Sequence, residues 1–370
     1  MQEVQKPIGN GIKDDTVALQ SMLDSGESTV YLPSGTYLIS DTLYIHDNTH
    51  LILSHGATIR LADDACCLML ANDKLGKSER NRNIIVEGGT WDGNNPNQQR
   101  GKVYENKRYF YGVVMRFEGG EDITVRNITF KNPEAYAVQL LDVDRFTVEN
   151  ITFDYNLLKP NMDGVHVQGP ARNGFIRNIK GATNDDLVAL NCDDVYDTFD
   201  GPCKTQGDIE NVTVDGLFAD NGYTAVRLLS CGSKMRNINI RNIYGTYRFY
   251  GVSFTHHSIF PGAPVWFDSI TVDGIYSSKP VKDRNGEPVP PTPHPIIWFA
   301  QGVTCGNISL NNIHRIEEAV TDAPTVQIDS EVNIQRLVIN NITQRFLNSP
   351  ELPLVVNNGS VKELIQVTKI

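Results

Sequence analysis

Ile123-Thr-Val-Arg-Asn127-Ile-Thr-Phe130 and Phe146-Thr-Val-Glu-Asn150-Ile-Thr-Phe153 are nearly one segment written twice, 23 residues apart. Apolar and polar residues alternate, and Asn then precedes another aliphatic. The pattern returns at Phe175-Ile-Arg-Asn178-Ile179, Val212-Thr-Val-Asp-Gly216-Leu217 and Ile238-Asn-Ile-Arg-Asn242-Ile243. It continues at Ile270-Thr-Val-Asp-Gly274-Ile275, Ile308-Ser-Leu-Asn-Asn312-Ile313 and Leu337-Val-Ile-Asn-Asn341-Ile342, with degenerate earlier copies at Leu51–Ile59 and Ile84–Trp91. Period-two alternation marks strands half buried on one side. Strands this short cannot bury a face alone, but stacked copies can. A period near 23 leaves room for about three short strands and three turns per repeat, one coil of a right-handed parallel β-helix with rungs ~4.8 Å apart. Asn at a fixed corner tolerates the left-handed turn and passes side-chain amide bonds from coil to coil. Where Asn is replaced, Gly appears (Gly216, Gly274), as that turn requires. The expected fold is therefore all-β, a right-handed parallel β-helix of about ten coils. A β-propeller would want repeats of ~40 residues and a blade signature that is absent.

The chain has 370 residues, more than the ~250–300 of one ordinary core. A solenoid grows by adding coils, so 1–370 reads as a single domain. At its start, Asp14-Asp15-Thr16-Val-Ala-Leu-Gln-Ser-Met-Leu-Asp24 reads as a short amphipathic helix that Asp or Thr can cap. Residues 1–28 thus form an N-terminal cap, plugging an open end that would otherwise recruit other strands. The repeat spacing stretches to 39 between Gly88 and Asn127 and to 38 between Asn178 and Gly216. Extra residues therefore form loops near 93–112, rich in Tyr104, Tyr109, Phe110 and Tyr111, and near 194–206. A Pro-rich insertion occupies 279–295. Long loops on a regular solenoid build its binding face.

The net charge of −11, with no Lys/Arg run longer than two, argues against a nucleic-acid partner. The 33 Asn and 30 Gly fit a chain of many turns. No stretch reaches the ~18 apolar residues of a membrane helix, so no membrane partner is expected. Met1-Gln2-Glu3-Val4-Gln5-Lys6 has no apolar signal core, which implies a cytoplasmic protein or one exported with its signal removed. Six cysteines are too sparse for a disulfide framework. Cys192 and Cys203 flank a loop and could pair. No spacing suggests a zinc site, and neither metal nor cofactor is expected.

One coil apart means one above another. Asp163, in Asn161-Met-Asp163-Gly-Val-His166, precedes Asp185 and Asp186 by 22 and 23 residues. Three carboxylates should then meet on one face, where like charges repel and push a pKa up. Such a group holds a proton donor beside an ionised base, which glycosidic cleavage needs. Asp and Asn also favour turns, which explains any single pair; three in register point to function. Asp193-Asp194, followed by Asp197 and Asp200, could form a calcium-type oxygen cluster, though without an EF-hand pattern a solvated loop is the better reading.

These residues carry a resemblance. Gly11-Ile-Lys-Asp14-Asp15-Thr16 with Val30-Tyr-Leu-Pro33-Ser-Gly35-Thr-Tyr37, and Gly88-Gly-Thr-Trp91-Asp-Gly93, resemble segments of the polygalacturonase-type glycoside hydrolases of the pectin-lyase-like β-helix superfamily. Asn161-Met162-Asp163 stands where that family has Asn-Thr-Asp. Asn184-Asp185-Asp186 stands where it has Gly/Gln-Asp-Asp, and Ala189-Leu190-Asn191 continues the match. The resemblance implies Asp185 as general acid, Asp163 and Asp186 as activators of water, and inversion of the anomeric centre. Two motifs depart. Gly222-Tyr223-Thr224 replaces Gly-His-Gly, and Gly251-Val-Ser253-Phe-Thr255 replaces the Arg-Ile-Lys that binds a substrate carboxylate. Arg227, His256 and His257 could take over part of those roles, and His166 could reach the same groove or serve as a structural partner.

The first expectation is thus an inverting hydrolase of an oligo- or polysaccharide other than plain polygalacturonate. Asn161, Asn184, Tyr223 and Arg227 would contact sugar, and aromatic residues such as Trp91, Tyr223 and Tyr250 would supply stacking surfaces, with packing as the alternative role for about half of them. A Ca-dependent polysaccharide lyase with Arg227 as base, an epimerase, and a non-catalytic glycan-binding spike remain as alternatives.

Overall fold

A computed structural model describes residues 6–99, 112–193, 205–257, 266–283 and 285–367. The chain is all-β, and every pairing between its named strands is parallel, each strand seated on the equivalent strand of the next coil. Met115–Arg126, Val138–Asp154, Val165–Lys180, Ile209–Gly222 and Lys234–Tyr247 stack in succession. The series runs on through Trp266–Ser278, Thr304–Glu317, Asn333–Phe346 and Ser360–Val367. A shorter series, Asp186–Asn191, Thr224–Leu229, Val252–Thr255, Ile297–Phe299 and Val326–Ile328, lies beside it and continues the register. This is the parallel β-helix that the repeat implies.

The alternation becomes a column of side chains. Val148, Ile176, Val214, Ile240, Val272, Leu310 and Ile339 face inward and are buried. The Asn positions are the left-handed corners expected of them: Asn127, Asn150 and Asn178 have φ of 59°, 56° and 54°. Asn150 Nδ2 donates to Asn127 Oδ1 at 2.9 Å, and Asn178 Nδ2 to Asn150 Oδ1 at 2.6 Å. Gly216 and Gly274 take φ of +79° and +78° at the equivalent corner. A second left-handed corner runs through Asn173, Asn211 and Asn237, again linked side chain to side chain. The first repeat's motif does not contain it.

One copy is out of phase with its reading. Phe175 is 52% exposed, and Gly174 takes the inward place opposite Phe146. A Cβ at Gly174 would lie 2.1 Å from the Phe146 ring, so the large ring below and the missing side chain above fill one space. The helix forms over Thr16–Leu23 with Ala18, Leu19 and Leu23 buried. No side chain caps it. Asp15 instead accepts the Ile8 and Gly9 N–H groups at 2.7 and 2.9 Å.

Of the insertions, 100–111 and 194–204 lie outside the described residues, and with them Tyr104, Tyr109, Phe110, Tyr111, Asp194, Asp197, Asp200 and Cys203. Cys192 is a free, buried thiol. Asp193 is no solvated loop residue: it is buried and gathers the Ser230–Ser233 turn, accepting the Cys231 and Ser233 N–H groups at 3.0 and 2.7 Å.

Candidate active site

Asp163 closes a turn and Asp186 opens the next coil's strand. The Gly164 N–H donates to the Asp186 carbonyl at 2.9 Å, and Val165 pairs with Val188, so the two aspartates occupy equivalent places one coil apart. Glycine is required between Asp163 and the strand. A Cβ at 164 would sit 2.4 Å from both the Leu187 carbonyl oxygen and the Phe153 ring. The buried Tyr155 hydroxyl donates to the Asp163 carbonyl at 3.0 Å, and Thr183 Oγ1 holds the Asp185 carbonyl at 2.7 Å.

The carboxylates differ in surroundings. Asp163 and Asp186 are buried, whereas Asp185 is half-buried. Asp163 Oδ2 meets His166 Nδ1 at 2.8 Å. Asn161, itself in the left-handed region, donates through Nδ2 to Asp185 Oδ2 at 3.2 Å. Asp186 Oδ2 is buried without a hydrogen bond, with Arg227 Nη1 facing it at 3.5 Å. Burial, and then the Asp185 charge, push the Asp163 carboxyl up to about 7 against the pull of His166 and Arg227. Burial raises Asp185 too, with Arg227 opposing. Burial and the Asp185 charge hold Asp186 well above the usual carboxylate range. Desolvation and mutual repulsion disfavour three simultaneous charges, so the cluster shares protons near neutral pH.

Around it, Arg227 reaches Thr255 Oγ1 at 3.3 Å and His257 Nδ1 at 3.4 Å. Arg248, which the motif reading overlooked, donates to the Asn184 side-chain oxygen at 3.0 Å and lies 5.5 Å from the Tyr223 ring centre. Asn184 also donates to the Lys159 carbonyl at 2.8 Å. Tyr223 stacks on Phe249 at 4.0 Å, and Tyr250 stacks on Trp298 at 4.7 Å; all four rings are half-buried. The structure thus brings Asn161, Asn184, Tyr223 and Arg227 to the carboxylates, and His257 to Arg227.

Three expected contacts fall elsewhere. Trp91 has no exposed surface and packs in the core, because its position alternates inward with the aliphatic column, so it offers no sugar platform. His166 is 2% exposed, stacked on Tyr136 at 4.1 Å, with its nitrogens facing Asp163 and Asn191; it supports the site from behind. His256 turns to the Gln301 carbonyl at 2.8 Å. Among the described residues, no group of three or more His, Cys, Asp or Glu is arranged to hold a metal ion.

Comparison with known proteins relates the fold to others. Residues 74–243 match the family model "Glycosyl hydrolases family 28", and residues 8–65 match "Rhamnogalacturonase A/epimerase, pectate lyase-like". The plasmin and fibronectin-binding protein A of Streptococcus pneumoniae is 24% identical over 67% of this chain; the match spans only 36% of that protein's length. Two solved structures share the fold. The endo-xylogalacturonan hydrolase of Aspergillus tubingensis has a TM-score of 0.61 at 14% identity, covering 96% of this chain and 94% of that one. The family 28 exopolygalacturonase of Yersinia enterocolitica has a TM-score of 0.59 at 16% identity, covering 97% and 76%. Residues 74–243 are thus similar to the family 28 glycosyl hydrolases, and the chain shares its parallel β-helix fold with two polysaccharide hydrolases of that kind.

Proposed function

We propose that this protein hydrolyses glycosidic bonds in an oligo- or polysaccharide with inversion of the anomeric centre. The observation that carries the reading is the gathering of three aspartates from adjacent coils, two of them buried, beside Asn161 and Arg227. Asp185 is the most accessible of the three and protonates the leaving glycosidic oxygen. Asp163 and Asp186, once ionised, take the proton of a water molecule that attacks the opposite face of the sugar. The C–O bond to the leaving sugar breaks as the water oxygen bonds to the anomeric carbon, and the extra proton remains on the Asp163/Asp186 pair. Arg227 limits the charge repulsion during this exchange. Asn161 orients Asp185, and His166 orients Asp163.

The substrate reading follows the motif departures. Ser253, in the stretch where the family has a basic motif, is buried and brings no cation. Of the cations beside the site, Arg227 already faces Asp186, and Arg248 is engaged by the Thr183 carbonyl and the Asn184 side chain. We therefore favour a glycoside other than plain polygalacturonate. The fold belongs to the same proposal: one domain over 1–370 with about ten coils, closed at its start by the 1–28 segment whose helix acts as a plug. A non-catalytic binding role is suggested by the pneumococcal relative, but such a role gives no reason to bury three carboxylates together. Ca-dependent elimination would need Arg227 as a base, and that side chain is already engaged by Asp186, Thr255 and His257.

A glycan panel including polygalacturonate, xylogalacturonan and rhamnogalacturonan, with product anomers followed by NMR, tests the reading. Inversion is expected. Retention, or chelator-sensitive unsaturated products, would overturn it, and binding without cleavage would favour the spike.

A further inference from the structure

Along the sheet that carries the site, one outward-facing position recurs from coil to coil, and between Tyr44, which is exposed at the first coil, and Val356 it runs Ala71, Arg116, Gln139, His166, Ala189, Arg227, Ser253, Trp298, Gln327. An open groove would leave this row accessible on both sides of the carboxylates. It does not. On the amino-terminal side Ala71, Arg116, Gln139 and His166 are 0%, 5%, 6% and 2% exposed. Leu68, Val113, Ala135 and Tyr136 pack with Ala71 into an apolar cluster separate from the solenoid core. The turn at Asn95–Asn97 adds to this cover. Asn95 and Asn156 exchange amide hydrogen bonds at 3.1 and 2.7 Å, and Asn95 donates to the Pro133 carbonyl at 2.8 Å. Gln98 Nε2 donates to the Ala62 carbonyl at 2.8 Å, and its Oε1 accepts the Cys66 N–H at 2.9 Å.

On the carboxyl-terminal side the row opens. The Arg227 side chain is 23% exposed, and beyond the small Ser253 both Trp298 and Gln327 are half-buried. Trp298 is held in orientation by its Nε1–H, which donates to Asp329 Oδ2 at 2.8 Å, and by the Tyr250 ring stacked on it. The Tyr250 hydroxyl is bonded in turn to His294 Nδ1 at 3.2 Å. Fixed rings whose polar atoms are already bonded are suited to the apolar faces of sugars.

We infer that the enzyme works on chain ends: the terminal sugar abuts the wall formed by the Asn95 turn and the Tyr136 cluster, and the rest of the polymer runs over Tyr250 and Trp298. This rests on the hydrolase reading, and the test separates the two. Wild-type protein is incubated with the three polymers above, and products are sized from the earliest times. One small product from the outset, with slow loss of viscosity, is expected. A broad early mixture of sizes would overturn the inference while leaving hydrolysis intact. With size-fractionated oligosaccharides of a cleaved polymer, Trp298→Ala should raise KM about 3- to 10-fold for the longest chains and less for the shortest. A rise independent of chain length would remove Trp298 from the binding path. Calorimetric titration of Asp185→Asn gives a readout without turnover. One protein bound per chain, whatever the chain length, is expected; several proteins per long chain would contradict the wall. Absence of both cleavage and binding would defeat the glycan reading and the inference with it.

Discussion

At the residue scale, the site depends on who holds the proton. Asp185→Asn keeps the shape of the acid and removes its chemistry, so kcat should fall by about 10²–10⁴-fold with an unchanged circular dichroism spectrum. A smaller loss on every cleaved glycan would reassign the acid. The Asp163 carboxyl, pushed up to about 7 in the fold, also links stability to pH. The folded state binds this proton more tightly than the unfolded chain, so the contribution is complete below the unfolded value near 4 and fades as pH rises toward 7. Glu87, Asp47 and Asp122 are held low by their partners and act in the opposite sense only at more acid pH. Between pH 7 and about pH 5 the wild-type Tm should therefore rise, and Asp163→Asn should flatten the slope. An unchanged slope in the variant would show that the proton resides elsewhere. Gly164→Ala tests position rather than charge. Its methyl meets the Leu187 carbonyl and the Phe153 ring, so about 1–3 kcal/mol of stability should be lost in urea denaturation, with activity falling as Asp163 is displaced.

At the element scale, the coil corner is the unit that the chain repeats. Asn150 combines a left-handed backbone with two side-chain links, to Asn127 below and Asn178 above. Asn150→Ala should cost about 1–2 kcal/mol, whereas Asn150→Gly should recover the backbone part, since Gly216 and Gly274 hold the same corner. Equal losses for the two variants would make the amide links the whole effect. The corner was legible in sequence because Asn or Gly stands before an aliphatic at a fixed place within each copy of the motif. So was the register of Asp163 with Asp186, which needs only the 23-residue spacing of one coil. The second corner was not, because it lies where residue types vary: Asp122, Arg145 and Ser269 adopt the left-handed region beside the asparagines. The phase of the Phe175 copy was lost because Gly174 trades its volume for the Phe146 ring in another coil. Trp91 misled for a similar reason, since an aromatic followed by Asp-Gly reads as a loop platform until strand phase turns it inward. Arg248, Tyr136 and Trp298 escaped notice because they stand on other coils, and only the stacking of strands brings Arg248 and Tyr136 to the site and sets Trp298 in the same outward row. A row of stacked rings on another face, Phe218, Tyr244, Tyr276 and His314 at 5.1–5.3 Å, likewise shows only once the strands are in register.

At the scale of the whole molecule, a solenoid has ends, and an uncovered end is a template for other strands. Two contacts of the helix Thr16–Leu23 fit the proposal that it plugs this end. Leu19 and Leu23 join the core cluster. Gln20 acts as a surrogate strand: its Oε1 accepts the Tyr44 N–H at 2.8 Å, and its Nε2 donates to the Tyr44 carbonyl at 3.1 Å. If the helix is the plug, lifting it should matter more than altering its outer surface. Leu19 is 2% exposed and Val17 is 73% exposed, so the same substitution separates burial from added charge. Leu19→Glu should lower stability by about 2–5 kcal/mol and make the sedimentation mass grow with concentration as the freed edge recruits neighbours. Val17→Glu should leave both Tm and mass unchanged. If Leu19→Glu lost stability but stayed at constant mass, the helix would be a packing element rather than a guard of the strand edge, and the end of the coil would need its protection from elsewhere.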